Sequence, residues 1–325
     1  MPIDLNKPDR GTKNWNNPLN ENFGTIEDHI STIYQISDRL YEGVDLSLKF
    51  ASEISAFSSV WEWIQDRIQS GNFGGIHVGD FIPFTAAGNI VIAEVAGINT
   101  YRGYGNIPVP NHIDFISRDC WPETHQWNRV NYNNGIAAMP TPFLASDIFH
   151  WLNGLQGSVP NDATVTMTNN PTPASSLVAV DYRTTGLLPQ LPAQLRAVIV
   201  QKRALMPRRY TGGTLLIDNN SWDWRDMGFL WLPDELEMYG AGIWGGTTAP
   251  LQGNDKFGAV QYPLFAGNIH KRVKGVGNGD TRSGWWLSTP KSGPSPSVAV
   301  VGGNGNAGTT GTSDINRVPV CFRIA

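Results

Sequence analysis

Six histidines, two cysteines and a set of Trp, Gly and Asn loops are the residues of this 325-residue chain that could do more than pack. The histidines stand at 29, 77, 112, 125, 150 and 270. Only His112-Ile113-Asp114 together with His125 is close enough in sequence to suggest a metal or acid/base site. No HExxH, GxSxG, phosphate loop or dinucleotide fingerprint accompanies them, so a hydrogen-bonded structural role is the expected one. Cys120 and Cys321 are far apart and form no CxxC or Cys/His cluster of the kind zinc needs. Two buried free thiols are expected, with a single disulfide as the alternative. No catalytic residue, metal or cofactor is assigned.

Two glycine-rich stretches, 275–280 and 302–308, carry Asn and Asp that could offer oxygen to Ca²⁺. Turn chemistry accounts for the same residues more simply. Lys271-Arg272-Val273-Lys274 reads as a small solvated basic patch. The ligand-binding face is expected at Trp285, Trp286, Ser288, Asn304 and Asn306. Aromatic faces there would cover the apolar side of a sugar or protein, while amides and a hydroxyl fix its orientation.

These groups need elements to hold them, and the chain supplies two kinds. Leu19, Phe23, Ile26, Ile30, Ile33, Ser37 and Leu40 follow a 4-3 heptad spacing with one polar member. A second seam runs Phe50, Ile54, Phe57, Trp61, Ile64 and Ile68. Ten residues separate Leu40 from Phe50, so the register breaks, and Gly43 sits in the gap. Isoleucine recurring at both seam positions favours three or four strands over two, and a parallel homotrimer is expected. The alternative is two amphipathic helices folded back on their own chain. Residues 1–18 are a polar, Pro/Gly-punctuated arm with Pro8 and Trp15. Such a segment orders only on a partner surface.

From Phe73 onward short apolar or alternating runs are separated by Gly, Pro and Asn. Strands are expected at 76–84, 89–98, 197–205, 214–218, 298–301 and 318–324. One helix is expected with Thr141 as its cap, Pro142 at its first position and Gly154 at its end; a shorter one spans 233–240. Residues 156–180 read as a surface excursion. The predicted organisation is an arm (1–18), a helical coiled-coil stem (19–72) and a globular domain (73–325), an α+β class with much loop. Residues 1–72 hold eleven Asp/Glu against six Lys/Arg, and 73–325 hold seventeen against eighteen. No basic stripe for a phosphate backbone results, so nucleic-acid binding is not expected. No apolar run is long enough to span a bilayer, and no secretory signal opens the chain.

Two resemblances sharpen this picture. The stretch from Lys7-Pro8 through Gly11-Thr12, Asn14-Trp15, Leu19-Asn20, Asn22-Phe23 and Thr25-Ile26 resembles the N-terminal virion-attachment segment of bacteriophage fibre and tail-appendage proteins. Fibres with such starts are usually trimers. Across most of 73–325, the series His112-Ile113-Asp114-Phe115-Ile116-Ser117-Arg118-Asp119, Asn131-Tyr132-Asn133-Asn134-Gly135, Leu230-Trp231-Leu232-Pro233-Asp234-Glu235, Gly284-Trp285-Trp286-Leu287-Ser288, Val298-Ala299-Val300-Val301-Gly302 and Arg317-Val318-Pro319-Val320-Cys321-Phe322-Arg323-Ile324 is similar to phage and gut-bacterial surface domains of the C-type-lectin-like fold. That fold is shared with formylglycine-generating enzymes. Their reactive cysteine pair has no counterpart here, so their activity is not carried over. The resemblances imply a virion-located, non-enzymatic fibre: a homotrimer joined to other virion structural proteins, with a lectin-like head for a host-surface glycan or protein. A virion-borne carbohydrate-degrading enzyme and a purely structural head or collar decoration are the alternatives.

Overall fold

A computed structural model describes residues 22–24, 26, 41–161, 174, 176–246, 260–276 and 281–325. The chain divides into two units, Met1–Glu42 and Gly43–Ala325. In the first, 22–24 and 26 are helical and Phe23 is exposed. Leu19, Ile30, Ile33, Ser37 and Leu40 of the first seam, and Pro8 and Trp15 of the arm, lie outside the described residues. The border between the units falls in the gap between the two seams. Gly43 there has φ +79°, and a Cβ on it would stand 1.9 Å from the carbonyl oxygen of Gly79, so only glycine fits this turn.

The head therefore begins at Gly43, thirty residues before the boundary predicted from composition. The second seam is not one rod but three short helices, α1 (Leu46–Lys49), α2 (Ala51–Ile54) and α3 (Val60–Gln69). Serines cause the interruption before α3. Ser59 Oγ accepts the amide of Glu62 while the Glu62 carboxylate accepts the amide of Ser58, 2.8 Å away, a reciprocal cap that starts a new helix. Trp61, Ile64 and Ile68 are buried within the single chain. Phe50, Ile54 and Phe57 pack on the same core. This corrects the assignment of Phe50, Ile54, Phe57, Trp61, Ile64 and Ile68 to an oligomerisation seam. Their apolar stripe is used up inside the head, as in the fold-back alternative. No long coiled-coil stem is present among the described residues.

Mixed α/β structure, mostly sheet with few helices, makes up the head. Its central sheet is antiparallel in the order β1 (Phe81–Ala86), β2 (Asn89–Ile98), β3 (Ile113–Cys120), then the last strand of the chain, then Ile199–Val200. β4 (His125–Gln126) follows β3, and β5 (Gln156–Pro160) pairs with β6 (Leu177–Asp181) as a hairpin. The Ile199–Val200 strand is β7. β8 (Arg203–Pro207) pairs with β11 (Trp222–Asp226), and β9 (Tyr210–Thr211) with β10 (Thr214–Leu215). β12 (Trp285–Pro290), β13 (Ser297–Val301) and β14 (Ala307–Gly311) form a second, three-stranded sheet. β15 (Ile315–Asn316) pairs with β4, and β16 (Pro319–Ile324) is the inner strand between β3 and β7.

All six residues of β16 are buried, which suits a strand paired on both edges and covered on both faces. Helix α3 lays Trp61 against this sheet, with ring centroids 5.6 Å from Phe84, 6.3 Å from Phe115 and 5.8 Å from Phe322, all edge-on. Edge-to-face packing suits the aromatic quadrupole. The N-terminal segment is thus bound to the C-terminal strand by the core itself.

Three more helices matter below. α4 (Asp147–Asn153) is capped by Ser146, whose Oγ accepts the Phe149 amide, and ends at Gly154 with φ 61°. Its end matches the expectation; its start does not, because residues 142–145 form turns and Ser146 rather than Thr141 is the cap. α5 (Leu187–Gln190) and α6 (Ala193–Val198) precede β7. α7 (Glu235–Tyr239) lies inside the predicted 233–240 and opens with a complete capping box between Asp234 and Glu237. No helix among the described residues is long and apolar enough to cross a membrane.

Candidate functional site

The predicted ligand face is mostly interior. Trp285 and Trp286 are fully buried and Ser288 nearly so. The two indoles act as ties between elements: Trp285 Nε1 donates to the Arg272 carbonyl at 3.0 Å, and Trp286 Nε1 to the His125 carbonyl at 2.7 Å. Rings whose faces and N–H groups are both committed cannot stack on a ligand, so Trp285, Trp286 and Ser288 are corrected from binding residues to core. Asn304 and Asn306 are exposed and shape the turn between β13 and β14, where the Asn306 amide donates to Asn304 Oδ1 at 3.4 Å. The basic patch is corrected too. Lys274 is buried and donates to the carbonyls of Ser117 and Arg118. Lys271 pairs with Glu94 at 2.8 Å.

The histidines separate into two environments. His112 is fully buried. Its Nδ1 lies 2.8 Å from the Pro110 carbonyl and its Nε2 accepts the Tyr101 amide at 3.1 Å. These partners fix the neutral tautomer protonated on Nδ1, and burial lowers its pKa further, though Asp114 opposes. Asp114 beside it receives both Nε and Nη2 of Arg323, at 2.7 and 2.8 Å, and the hydroxyl of Tyr262 at 3.0 Å. Burial alone would raise the Asp114 pKa, but the Arg323 guanidinium overrides it and holds the carboxylate ionised. Lys202, fully buried, pairs with Glu237 and lies 3.8 Å above the Trp231 ring. Tyr101 closes the cluster by donating to Glu237. Every charge in this cluster has an opposite partner inside the protein. It is a sealed network with the role expected of His112.

Both cysteines are free and buried. Burial pushes the Cys120 thiol up to about 12, and raises Cys321 as well, so neither is a thiolate nucleophile near neutral pH. No group of three or more His, Cys, Asp and Glu side chains among the described residues is placed to hold a metal ion.

His125 lies at the border of open space instead, its side chain 22% exposed. It lines an open cleft of about 430 Å³ with Thr124, Gln126, Arg129, Asp147, Ile148, Trp151, Tyr182 and Ile315. The β4–β15 pairing sets Asn316 opposite His125 and Ile315 opposite Gln126. Helix α4 contributes Asp147 and, one turn later, Trp151. The His125 ring stacks on Trp151 with centroids 3.5 Å apart and planes 27° apart. Across from it stands a closed polar triad. Arg129 Nε donates to Asp147 Oδ2 at 3.1 Å, Arg129 Nη2 to the Tyr182 hydroxyl at 3.0 Å, and that hydroxyl to Asp147 Oδ1 at 2.8 Å. Burial lowers the His125 pKa to about 4 against the pull of Asp147, so the stacked ring is neutral near pH 7. A second cavity, bordered by Met206, Trp222, Asp234 and Glu235, is only about 30 Å³ and has room for no more than a water.

The cleft brings aromatic surface, fixed polar groups and open volume together, the features of a small-ligand site. Sequence reasoning singled out His125 and none of its partners. The Asp147/Trp151 spacing of one helical turn is the only local signal, since Tyr182 arrives by the β5–β6 excursion. No family model, characterised protein or solved structure matches the chain.

Proposed function

We propose that this chain is a non-enzymatic appendage (fibre) protein of a bacteriophage particle, held by its N-terminal arm and presenting a lectin-like head to a host or other surface. The observation that carries the reading is the division of the chain into a small N-terminal unit and a large head with an open aromatic–polar cleft. A polar, Pro/Gly-punctuated arm suits attachment to a larger structure, and the phage-like residues from Lys7 to Ile26 lie in that unit. Residues up to Leu40 carry the remaining heptad seam, so trimerisation rests on the first seam alone. Three weak heads on one base gain avidity wherever the target is multivalent.

The C-type-lectin-like assignment agrees with a mainly antiparallel, loop-rich head whose last strand lies in the central sheet. Against the carbohydrate-degrading alternative stands the state of Asp147. Both its oxygens are engaged by Arg129 and Tyr182, which suits a fixed binding group better than a proton donor. The test is fractionation of a producing culture on a density gradient, followed by antibody labelling of the particles. The chain is expected to sediment with the particles and to label an appendage. Recovery only in the soluble fraction, with particles free of it, overturns the reading.

A further inference from the structure

We infer that the cleft between α4 and the β4–β15 pair is a binding subsite for an uncharged sugar residue. The inference rests on the surface-binding reading of the head and gives it a place and a chemical class. The first argument is charge. Arg129 and Asp147 neutralise each other at 3.1 Å, His125 is neutral, and Glu123 at the rim, 3.9 Å from His125 Nε2, adds a negative charge. A cleft with this small excess of negative charge repels carboxylated or phosphorylated sugars, and a single unpaired carboxylate at its rim is too little to hold a metal ion, since no group of three or more ligand side chains gathers among the described residues.

The second argument is hydrogen-bond capacity. Arg129 uses Nε and Nη2 within the triad and keeps further N–H donors, its side chain being 40% exposed. Asp147 accepts two bonds and has lone pairs left. Spare donors beside spare acceptors, held by a third group, match neighbouring hydroxyls that each give and take a proton. Anions would use only the donors and cations only the acceptors.

The third argument is shape. One face of His125 is covered by Trp151 and its Nε2 is buried, so part of its other face is what it can offer the cleft, its side chain being 22% exposed. A neutral ring backed by an indole is a platform for the apolar C–H face of a pyranose. Ile315, 65% exposed, supplies apolar surface at the mouth. A volume of about 430 Å³ suits one monosaccharide and part of its neighbour. Affinity for a single unit should be weak, about millimolar, and raised by avidity in the assembled protein.

Saturation-transfer NMR on the full chain provides the test, with methyl glucoside, methyl galactoside, methyl mannoside, methyl N-acetylglucosaminide and methyl glucuronide as probes. At least one neutral glycoside is expected to give signal, and the glucuronide to give none. Arg129→Gln and Ile315→Glu, both at partly or fully exposed side chains and so tolerated by the fold, should weaken the signal at least about tenfold. Melting curves confirm that these variants are folded. Silence from every neutral glycoside, preference for the glucuronide, or equal binding by the variants overturns the proposal. In each of those cases a chain found on the particle leaves the appendage reading standing. A sugar-binding cleft in a chain absent from particles has the opposite meaning.

Discussion

The sealed cluster around Asp114 and the open cleft around Asp147 are built from nearly the same parts, and they have opposite roles. Each holds an Arg–Asp pair, a tyrosine hydroxyl on the aspartate and a histidine close by. In the first, Asp114, Arg323, His112 and Lys202 are all buried, and their hydrogen-bonding groups meet inside the protein. In the second, Arg129 is 40% exposed and the group borders open volume. Composition therefore does not distinguish a structural network from a binding site here. What distinguishes them is whether capacity is left over and whether a ligand can reach it.

The largest effect expected from this contrast is in the sealed cluster. Asp114→Ala leaves the Arg323 guanidinium buried without its partner, at a cost of about 3–5 kcal/mol. Urea unfolding should show this loss or a chain that fails to accumulate in folded form. Asp114→Leu combined with Arg323→Met removes both charges and should recover much of the stability, because replacing a buried pair by apolar groups is often neutral. A single Asp114→Ala chain as stable as the wild type would break the comparison from the sealed side.

Acid titration sharpens it next. The folded His125 has its pKa lowered by burial to about 4, against about 6.5 in the unfolded chain. Between these values the unfolded state takes up a proton that the native state does not, so this histidine makes stability fall as pH drops from about 6.5 to about 4. The limit is about 3 kcal/mol at 1.36 kcal/mol per unit, and partial exposure of the ring reduces it to roughly 1–2. Asp234 has the opposite sign. Burial, with Glu237 adding to it, pushes its carboxyl up to about 7, so its contribution is present at low pH and lost as pH rises through 7. His125→Gln should flatten the acid limb of urea midpoints between pH 6.5 and 4, while Asp234→Asn should flatten the loss approaching pH 7. No change in either limb would mean that the ring and the cap are better solvated than their packing implies.

How much of this was legible depends on whether the deciding partner is near in sequence. Strand β2 spans the predicted 89–98 because its apolar, β-branched run and the turn at Ala87-Gly88 before it are local. Gly154 and Gly240 end their helices in left-handed conformations, as their positions predicted. The stripe from Phe50 to Ile68 was legible as apolar helix but not in its partner. Periodicity reports that a face is buried, not whether the sheet or a second chain covers it, and the only break expected was at Gly43, whereas the helix restarts at the Ser59 cap. Trp285 and Trp286 stood out by type, and the buried β12 then placed them inside. The cleft was the least legible feature, because β4, α4, the residue after β6 and β15 meet only through tertiary pairing across nearly two hundred residues.

The smallest effect on stability is the one that separates the two regions most cleanly. Arg129→Gln removes a guanidinium that is 40% exposed and paired with Asp147, and pairs of this kind contribute about 0–1 kcal/mol. Tyr182 remains to donate to Asp147 Oδ1 at 2.8 Å, so the aspartate is not left bare. The urea midpoint should shift by less than about 1 kcal/mol equivalent, while binding of a neutral glycoside drops at least about tenfold. The corresponding loss at Arg323 would unfold much of the protein before any binding could be measured. If Arg129→Gln instead destabilised the head as strongly as Asp114→Ala, the Asp147 triad would be a second structural network that happens to lie at the surface. The cleft would then have no claim to a ligand on the strength of its charged groups.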